Sequence, residues 1–282
     1  MKVLFIIVVF VVLAAINAAS YAIMTYLPKK DTTRGLDIMT VREFAGADAA
    51  IYLIGGMMSP PTVTQFEPVL EIIPSGIDVY MTQFLTKGFN LDQAANAIMR
   101  HIKDKRHQNV VIIPVSLGYQ VAVRIANYEE VKLLPVCPCI GRDVLTASAK
   151  WKWVAGYAIA FPFSILIGWL ALRPMIRVEG GRYSLRLLVD QTATCAKNLS
   201  WNACGMIGDS QTISYAMKAD GLVLAEDDTL IDNEKLLTYV TLGNGAKPLV
   251  VESADHYGNG QNHRQFQERI AEALSPLLKS PA

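Results

Sequence analysis

The feature that most constrains the fold is residues 109–128, NVVIIPVSLGYQVAVRIANY, where a β-branched run passes directly into a helical pattern. Residues 110–113 are apolar without polar alternation, which is typical of a strand covered on both faces in a parallel sheet. Val121, Ile125 and Tyr128 then recur at helical spacing and predict a buried stripe. Ser116 is therefore expected at a strand-to-helix corner.

The alternation of strands and helices recurs along most of the chain. The length of 282 residues and the hydrophobic content of 52% are enough for one large core. Such alternation predicts an α/β domain with a doubly wound, mostly parallel sheet. Besides the strand at 109–114, the predicted strands are DAAIYLIGG (48–56), GIDVYMTQF (76–84), VKLLPVCPC (131–139), GLVLAEDD (221–228) and AKPLVVES (246–253), and two further helices are LDQAANAIMRHIKDKR (91–106) and RQFQERIAEALSPLL (264–278).

Residues 1–27 form an apolar segment with a single charge, that of Lys2. Because about 20 apolar residues span a bilayer, this segment predicts an N-terminal transmembrane anchor, followed by a polar connector over 28–47 and a domain over 48–282. The alternative is a signal peptide cleaved near residues 20–22, which would lead to secretion. Basic residues flank the segment on both sides, so the side of the membrane stays open.

The region 141–220 interrupts the alternation and predicts an insertion above the carboxyl ends of the strands. Its core, VAGYAIAFPFSILIGWLAL (154–172), carries no charge and has tryptophans near both ends. We interpret it as a helical lid that is buried or dips into the membrane. The alternative is a second membrane span, which would place the last two strands across the membrane from the others.

Charge and cysteine content limit the partners. The net charge of +1 provides no basic field for nucleic acid. Cys137 and Cys139 end a strand-like run and are expected to be buried free thiols, whereas Cys195 and Cys204 would form a disulfide in an oxidising compartment. No histidine stands near either pair in sequence, so no metal site is predicted, and nothing indicates a cofactor.

The segment PVSLG at 114–118 resembles the nucleophile elbow of the α/β-hydrolase superfamily, in which a serine stands between small residues at a sharp turn. Pro114 occupies a position where the family has glycine. The resemblance covers about residues 48–278 outside the lid. It implies the α/β-hydrolase fold with Ser116 as the nucleophile.

The chain order Ser, Asp, His of the family extends the resemblance. GLVLAEDDTLID resembles the acid turn, with Asp228 in the acid position and Asp227 as a near competitor, and PLVVESADHYGNG resembles the histidine loop, with His256 as the general base. The remaining histidines are expected elsewhere, His101 and His107 on the solvated face of a polar helix and His263 at the start of the last helix.

Acyl transfer also needs hydrogen-bond donors for the developing oxyanion. The resemblance implies that Leu117 supplies one backbone N–H and that Gly56 or Met57 supplies the other. Ile54 replaces the histidine that the family often has in this loop, which leaves the register of the loop open.

These features together predict a membrane-associated serine hydrolase with a Ser116–His256–Asp228 triad. Its substrate would be an ester, thioester or amide of an apolar, lipid-like acyl group, and transfer to an acceptor other than water stays open. One alternative is a catalytically silent hydrolase-fold protein that binds a ligand or partner. Another is a two-span membrane protein whose soluble part is structural.

Overall fold

The structure is a computed structural model that describes residues 4, 5, 7–12, 15, 36–56, 67–84, 91–147, 149, 217–242, 247–254, 256 and 263–279. Several sequence predictions fall outside the described residues. They are those for Met57, for Cys195 and Cys204, for the lid core at 154–172 and for most of the anchor at 1–27.

Nine strands, five α-helices and a short 3₁₀ helix are described. In chain order they are β1 (Leu36–Arg42), β2 (Ala49–Ile54), α1 (Glu67–Ile72), β3 (Ile77–Phe84), α2 (Leu91–Lys105), β4 (Asn109–Pro114), α3 (Gly118–Ala126), β5 (Lys132–Leu133), the 3₁₀ helix (Arg142–Val144), β6 (Met217–Ala219), β7 (Val223–Ala225), α4 (Asn233–Thr238), β8 (Val240–Leu242), β9 (Leu249–Val251) and α5 (His263–Lys279).

The central sheet has the order β1-β3-β2-β4-β5, in which only the β1–β3 pair is antiparallel. Parallel bridges from Val136 to Val115 on one side and to Val223 on the other continue this layer to β7. Strand β7 pairs with β9, and β6 pairs with β8, both in parallel. The predicted mostly parallel sheet is therefore confirmed.

Helices cover both faces of this layer. Strand β2 is buried along almost its whole length, and its side chains alternate between two apolar clusters. Helices α2 and α3 pack in the cluster that contains Tyr52 and Ile112, and α1 and α5 pack in the cluster that contains Leu53 and Ile113. Because parallel strands need helical crossovers, this arrangement accounts for the nearly unbroken apolar runs of β2 and β4.

Some short strands were not predicted from the sequence. Strand β1 lies within the predicted polar connector, where it pairs antiparallel with the edge of β3. Strands β6 and β8 have three residues each. Such short elements carry too few residues for periodicity to identify them, and their pairing comes from tertiary context.

The prediction that His101 and His107 lie on a solvated face is wrong. The His107 side chain is 1% exposed, and its Nε2–H donates to Asp78 Oδ2 at 2.9 Å. His101 is half-buried and accepts a hydrogen bond from the Tyr52 hydroxyl at 2.8 Å. Both histidines form part of a polar network between the end of α2 and strands β2 and β3, because Tyr52 and Asp78 are buried and need partners.

This network also sets the protonation of Asp78. Burial alone would raise the pKa of this carboxyl, but hydrogen bonds from His107, from the Phe44 N–H and from the Tyr80 hydroxyl outweigh it and lower the pKa below its usual value. The carboxylate therefore stays charged while it is almost fully buried. It ties the end of β1 to β3 and α2.

Within the residues described, no helix is long and apolar enough to cross a membrane. Residues 4, 5, 7–12 and 15 of the predicted anchor are helical. The bridge from Val136 to Val223 shows that strands before and after region 141–220 belong to one layer. These strands therefore lie on the same side of any membrane, which excludes the alternative in which a span separates them.

Candidate active site

Ser116 lies at the corner between β4 and α3. The chain leaves β4 through Val115, whose N–H donates to Ile54 O at 2.8 Å, and the Ser116 N–H donates to Val136 O at 3.0 Å. Ser116 then adopts a positive φ of 51°, in the left-handed region that a residue with a Cβ seldom occupies. Backbone strain of this kind costs about 1–3 kcal/mol and is concentrated at functional sites.

Gly118 is required by the close approach of this corner to β2. A Cβ on Gly118 would lie 2.5 Å from Ile54 O and 2.9 Å from Gly55 O. Because both contacts are with backbone atoms, no side-chain rotation relieves them. The glycine after Ser116 thus allows α3 to start directly beside the end of β2.

Pro114 fits its place although it departs from the family pattern. It is the last residue of β4, paired with Ile54, and its carbonyl accepts the Val136 N–H at 2.9 Å. The hydrogen bond made at this position uses the carbonyl oxygen, which proline retains although it has no N–H to donate. The elbow therefore forms with proline in this position.

His256 connects Ser116 to Asp228. Its Nε2 lies 2.9 Å from Ser116 Oγ, and its Nδ1 lies 2.7 Å from Asp228 Oδ2. With Nδ1–H donating to the carboxylate, the lone pair of Nε2 accepts the serine O–H. Three side chains that are up to 140 positions apart in sequence form one chain of hydrogen bonds.

Asp228 is fixed on its other side by the backbone. Its Oδ1 accepts the N–H groups of Leu230 and Ile231, both at 2.8 Å, so that Oδ2 points at His256. The Asp228 and His256 side chains are 0% and 2% exposed. The neighbour Asp227 is exposed, with its N–H bonded to Ala254 O. Of the two acids considered from the sequence, only Asp228 contacts the histidine.

The loop that follows β2 lies against Ser116. A Cβ on Gly56 would be 3.1 Å from Ser116 Cβ and 3.7 Å from its Oγ. The Leu117 N–H, at the start of α3, donates no hydrogen bond to any other described residue. Two of the three predicted oxyanion donors therefore stand next to the serine, and the third, Met57, lies outside the described residues.

Cys137 is a member of this site that sequence analysis assigned only to the core. Cys137 and Cys139 are both buried and are not disulfide-bonded, as predicted. However, the Cys137 sulfur, a carboxylate oxygen of Asp228 and a ring nitrogen of His256 lie within 4.8 Å of one another. Cys137 also has a positive φ, of 42°. The sequence did contain a signal for the position of Cys137. Strands β4 and β5 are parallel neighbours, and residues that follow the ends of such strands meet at one edge of the sheet.

The assembled site can move a proton. Ser116 is partly buried at the surface of the site, whereas His256 and Asp228 lie beneath it. A hydroxyl hydrogen-bonded to an imidazole that is oriented by a carboxylate can lose its proton as it attacks a carbonyl carbon. The arrangement therefore has the chemical groups for acyl transfer.

Comparison with known proteins identifies the fold. No protein-family model matches the sequence, and no curated protein matches it. Solved structures do match. An N-acyl homoserine lactonase, AidH, is 17% identical with a TM-score of 0.61, and the match covers 90% of this chain and 99% of that one.

Two further structures belong to enzymes with other reactions. A meta-cleavage product hydrolase from Pseudomonas fluorescens matches with 12% identity and a TM-score of 0.59, over 86% of this chain and 94% of its own. A bromoperoxidase from Bacillus anthracis matches with 13% identity and a TM-score of 0.61, over 87% and 95%. The chain has the α/β-hydrolase fold, and the range of reactions shows that the fold does not specify the substrate.

Proposed function

We propose that this chain, which has the α/β-hydrolase fold, is a serine hydrolase that cleaves ester, thioester or amide bonds through an acyl-enzyme. One observation carries the proposal, namely that His256 Nε2 accepts a hydrogen bond from the Ser116 hydroxyl at 2.9 Å while its Nδ1–H donates one to Asp228 Oδ2 at 2.7 Å. Nucleophile and base within about 2.6–3.2 Å, with the base oriented by a third group, are the signature of an activated serine.

In the first half of the reaction, Ser116 Oγ attacks the carbonyl carbon of the substrate while His256 Nε2 takes the hydroxyl proton. The imidazolium that results is stabilised by Asp228, which keeps its charge and does not accept the proton. His256 then gives this proton to the leaving group. The acyl group remains esterified to Ser116.

In the second half, water takes the place of the leaving group. His256 removes a proton from the water, whose oxygen attacks the acyl carbon, and the proton returns to Ser116 Oγ as the acid departs. The same steps with an alcohol or amine in place of water would transfer the acyl group to that acceptor.

The developing oxyanion would be held by backbone donors. Leu117 N–H at the start of α3 and a donor from the loop of Gly56 or Met57 are the groups that we assign to this role. Removal of one such donor costs about 3–4 kcal/mol of transition-state stabilisation in a related type of site. The closeness of Gly56 to Ser116 supports this assignment.

We further propose that the substrate carries an apolar acyl chain and that the protein acts at a membrane. The apolar stretches at 1–27 and 154–172 support this, because they would hold the enzyme at a lipid surface and cover the site with apolar side chains. One structural neighbour is an N-acyl homoserine lactonase solved with N-hexanoyl homoserine lactone. It illustrates that the fold accepts an acyl chain beside a polar head.

The test is labelling of the full-length protein with a fluorophosphonate probe in lipid vesicles. We expect labelling in the wild type and none in Ser116→Ala. A parallel assay with p-nitrophenyl esters of increasing chain length should show higher kcat/KM for the longer chains.

The matched control is Ser253→Ala, since Ser253 lies in an exposed turn near the histidine loop. This variant should label like the wild type. Failure of folded wild-type protein to label under any lipid condition would favour a hydrolase-fold protein that only binds a ligand. A preference for short, soluble esters would contradict the lipid-like substrate and leave the serine hydrolase in place.

A further inference from the structure

We propose that Cys137, His256 and Asp228 form a binding site for a thiophilic divalent cation such as Zn²⁺, and that an ion bound there switches Ser116 off. We infer the binding site only from the geometry of these three side chains. The inhibitory effect rests on the proposed serine hydrolase function. No metal was expected from the sequence because His256 follows Cys137 by more than a hundred residues.

The distances are close to those of a metal site. One donor atom from each residue lies within 4.8 Å of the other two, and all three residues are buried. Donor atoms around tetrahedral Zn²⁺ are about 3.5 Å apart, given bond lengths of about 2.0–2.3 Å. Small shifts of the Cys137 sulfur and the His256 ring would therefore complete three ligands, and water would be the fourth.

The donor set selects the kind of ion. A thiolate, an imidazole nitrogen and a carboxylate oxygen suit Zn²⁺ and its softer relatives, whereas Mg²⁺ and Ca²⁺ prefer oxygen ligands alone. Asp228 is already held by the N–H groups of Leu230 and Ile231. A carboxylate oriented in this way keeps its second oxygen available to a ligand at little further cost in entropy.

Binding exchanges protons for the metal. Cys137 releases its thiol proton, and the single ring proton of His256 moves from Nδ1 to Nε2, so one proton is released and the metal lies between sulfur, nitrogen and oxygen. His256 then no longer has its carboxylate partner. Nε2, now protonated, has no lone pair to accept the Ser116 proton, so the serine loses its base.

Cys139 is a matched control, two residues further along the chain. It is also a buried free thiol. Its sulfur lies 3.9 Å from Gly141 O. Among the described residues it belongs to no group of metal-ligating side chains. Cys139→Ser should therefore leave metal binding unchanged.

The binding experiment uses Co²⁺ with the full-length protein, in a Cys195→Ser/Cys204→Ser background that leaves two thiols. We expect a thiolate-to-cobalt charge-transfer band in the background protein and in its Cys139→Ser variant, and no band in Cys137→Ser. Zn²⁺ should displace Co²⁺ and remove the band. Absence of the band from the background protein, or its persistence in Cys137→Ser, would overturn the proposal.

A second variant, at another ligand, distinguishes the loss of a metal ligand from misfolding of Cys137→Ser. In His256→Asn the band should weaken or shift, and the apparent affinity for Co²⁺ should fall by at least about tenfold. An unchanged spectrum and affinity in this variant would also overturn the site. Retained thermal unfolding transitions in both variants show that the loss comes from the ligand.

The inhibition experiment measures fluorophosphonate labelling of Ser116 as Zn²⁺ is increased. Wild type and Cys139→Ser should lose labelling at the same concentration, and Cys137→Ser should need at least about tenfold more Zn²⁺. Equal inhibition of all three proteins would refute the assigned ligand. If Ser116 is never labelled, the proposed function fails, and the cobalt band still decides whether the metal site exists.

Discussion

Asp227 and Asp228 are adjacent and chemically identical, yet they have different surroundings. Asp228 is buried, accepts two backbone N–H groups and contacts His256, whereas Asp227 is exposed. The turn after β7 directs the side chains of successive residues to opposite sides. This difference allows the function of one carboxylate to be tested against the other as an internal control.

We predict that Asp228→Asn lowers the rate of Ser116 labelling and of ester hydrolysis by about 10³–10⁴-fold. The amide oxygen can still accept the N–H groups of Leu230 and Ile231, so the fold should survive. However, the amide nitrogen would face His256 Nδ1 as a donor and favour the wrong tautomer of the imidazole. The measurement is kcat for an activated ester, compared with the rate of probe labelling.

Asp227→Asn serves as the matched control and should change neither rate by more than about twofold, since surface substitutions seldom disturb stability or structure. If the two variants lose activity equally, Asp228 does not orient the base. If Asp228→Asn keeps full activity, the proposed triad is wrong.

The residues of the candidate triad could be predicted because each follows a strand in a parallel sheet, where carboxyl ends share one edge. The resemblance to the α/β-hydrolase superfamily, with its Ser, Asp, His chain order, then grouped Ser116, Asp228 and His256. The positions of Cys137 and His107 could not be predicted this way. Both depend on which strands become neighbours, and the local pattern around each is also compatible with an ordinary core or surface residue.

At the scale of elements, the corner between β4 and α3 depends on Gly118. We predict that Gly118→Ala destabilises the protein by more than about 2 kcal/mol, because the new methyl group would collide with backbone oxygens of β2. Probe labelling should fall together with stability, since the same collision displaces Ser116. Urea unfolding of the purified protein measures the change.

Gly221→Ala is the control for this substitution. Its Cβ would lie 2.9 Å from Leu134 Cδ1, the end of a flexible side chain that can move. We expect a loss below about 1 kcal/mol. If both alanine variants are equally stable, backbone contact with β2 does not explain the requirement for glycine after Ser116.

A polar network holds α2 to strands β2 and β3, at the end of the sheet away from Ser116. Its members are Asp78, His107, Tyr80 and Tyr52. Because the folded-state pKa of Asp78 is lowered, its carboxylate stabilises the fold above the unfolded pKa of 3.8, and this stabilisation is lost as pH falls through the lower folded-state value. We predict that Asp78→Asn costs about 2 kcal/mol at pH 7.

The difference in unfolding free energy between wild type and Asp78→Asn should shrink as the pH falls below about 4. Asp104→Asn, on the exposed side of α2, should show no such pH-dependent difference. A constant difference from pH 7 to pH 3 would mean that the charge of Asp78 has no part in holding these elements together.

Among the elements, segments with a continuous apolar run or a helical period were predictable, including the short β5, β7 and β9, whereas β1, β6 and β8 were not. Strands β2, β3 and β4 and helices α2 and α5 have enough residues for their period to identify them. Strand β1 was assigned to a connector because its sequence, LDIMTVR, mixes apolar and polar residues as an edge strand does. Its place in the sheet comes from pairing with β3, which no local pattern contains.

At the scale of the whole molecule, one sheet joins segments on both sides of region 141–220. Strands β2 to β5 precede this region, and β7 and β9 follow it, yet Val136 bridges to Val223. The candidate active site therefore draws on both parts, with Ser116 from the first and Asp228 and His256 from the second. The membrane association that we propose would then be made through the N-terminal segment or through region 141–220.

The apolar residues at the start of the chain provide the last prediction. Leu4 and Phe5 are helical and 67% and 70% exposed, residues 7–12 are helical as well, and water is a poor environment for such side chains. We predict that the full-length protein stays with membranes through alkaline carbonate washing, and that a variant without residues 1–27 is at least partly released while Ser116 still labels. An N-terminus that begins near residue 21 in the mature protein, together with full release into the medium, would show a cleaved signal peptide. Complete retention of the truncated protein would instead assign the attachment to region 141–220.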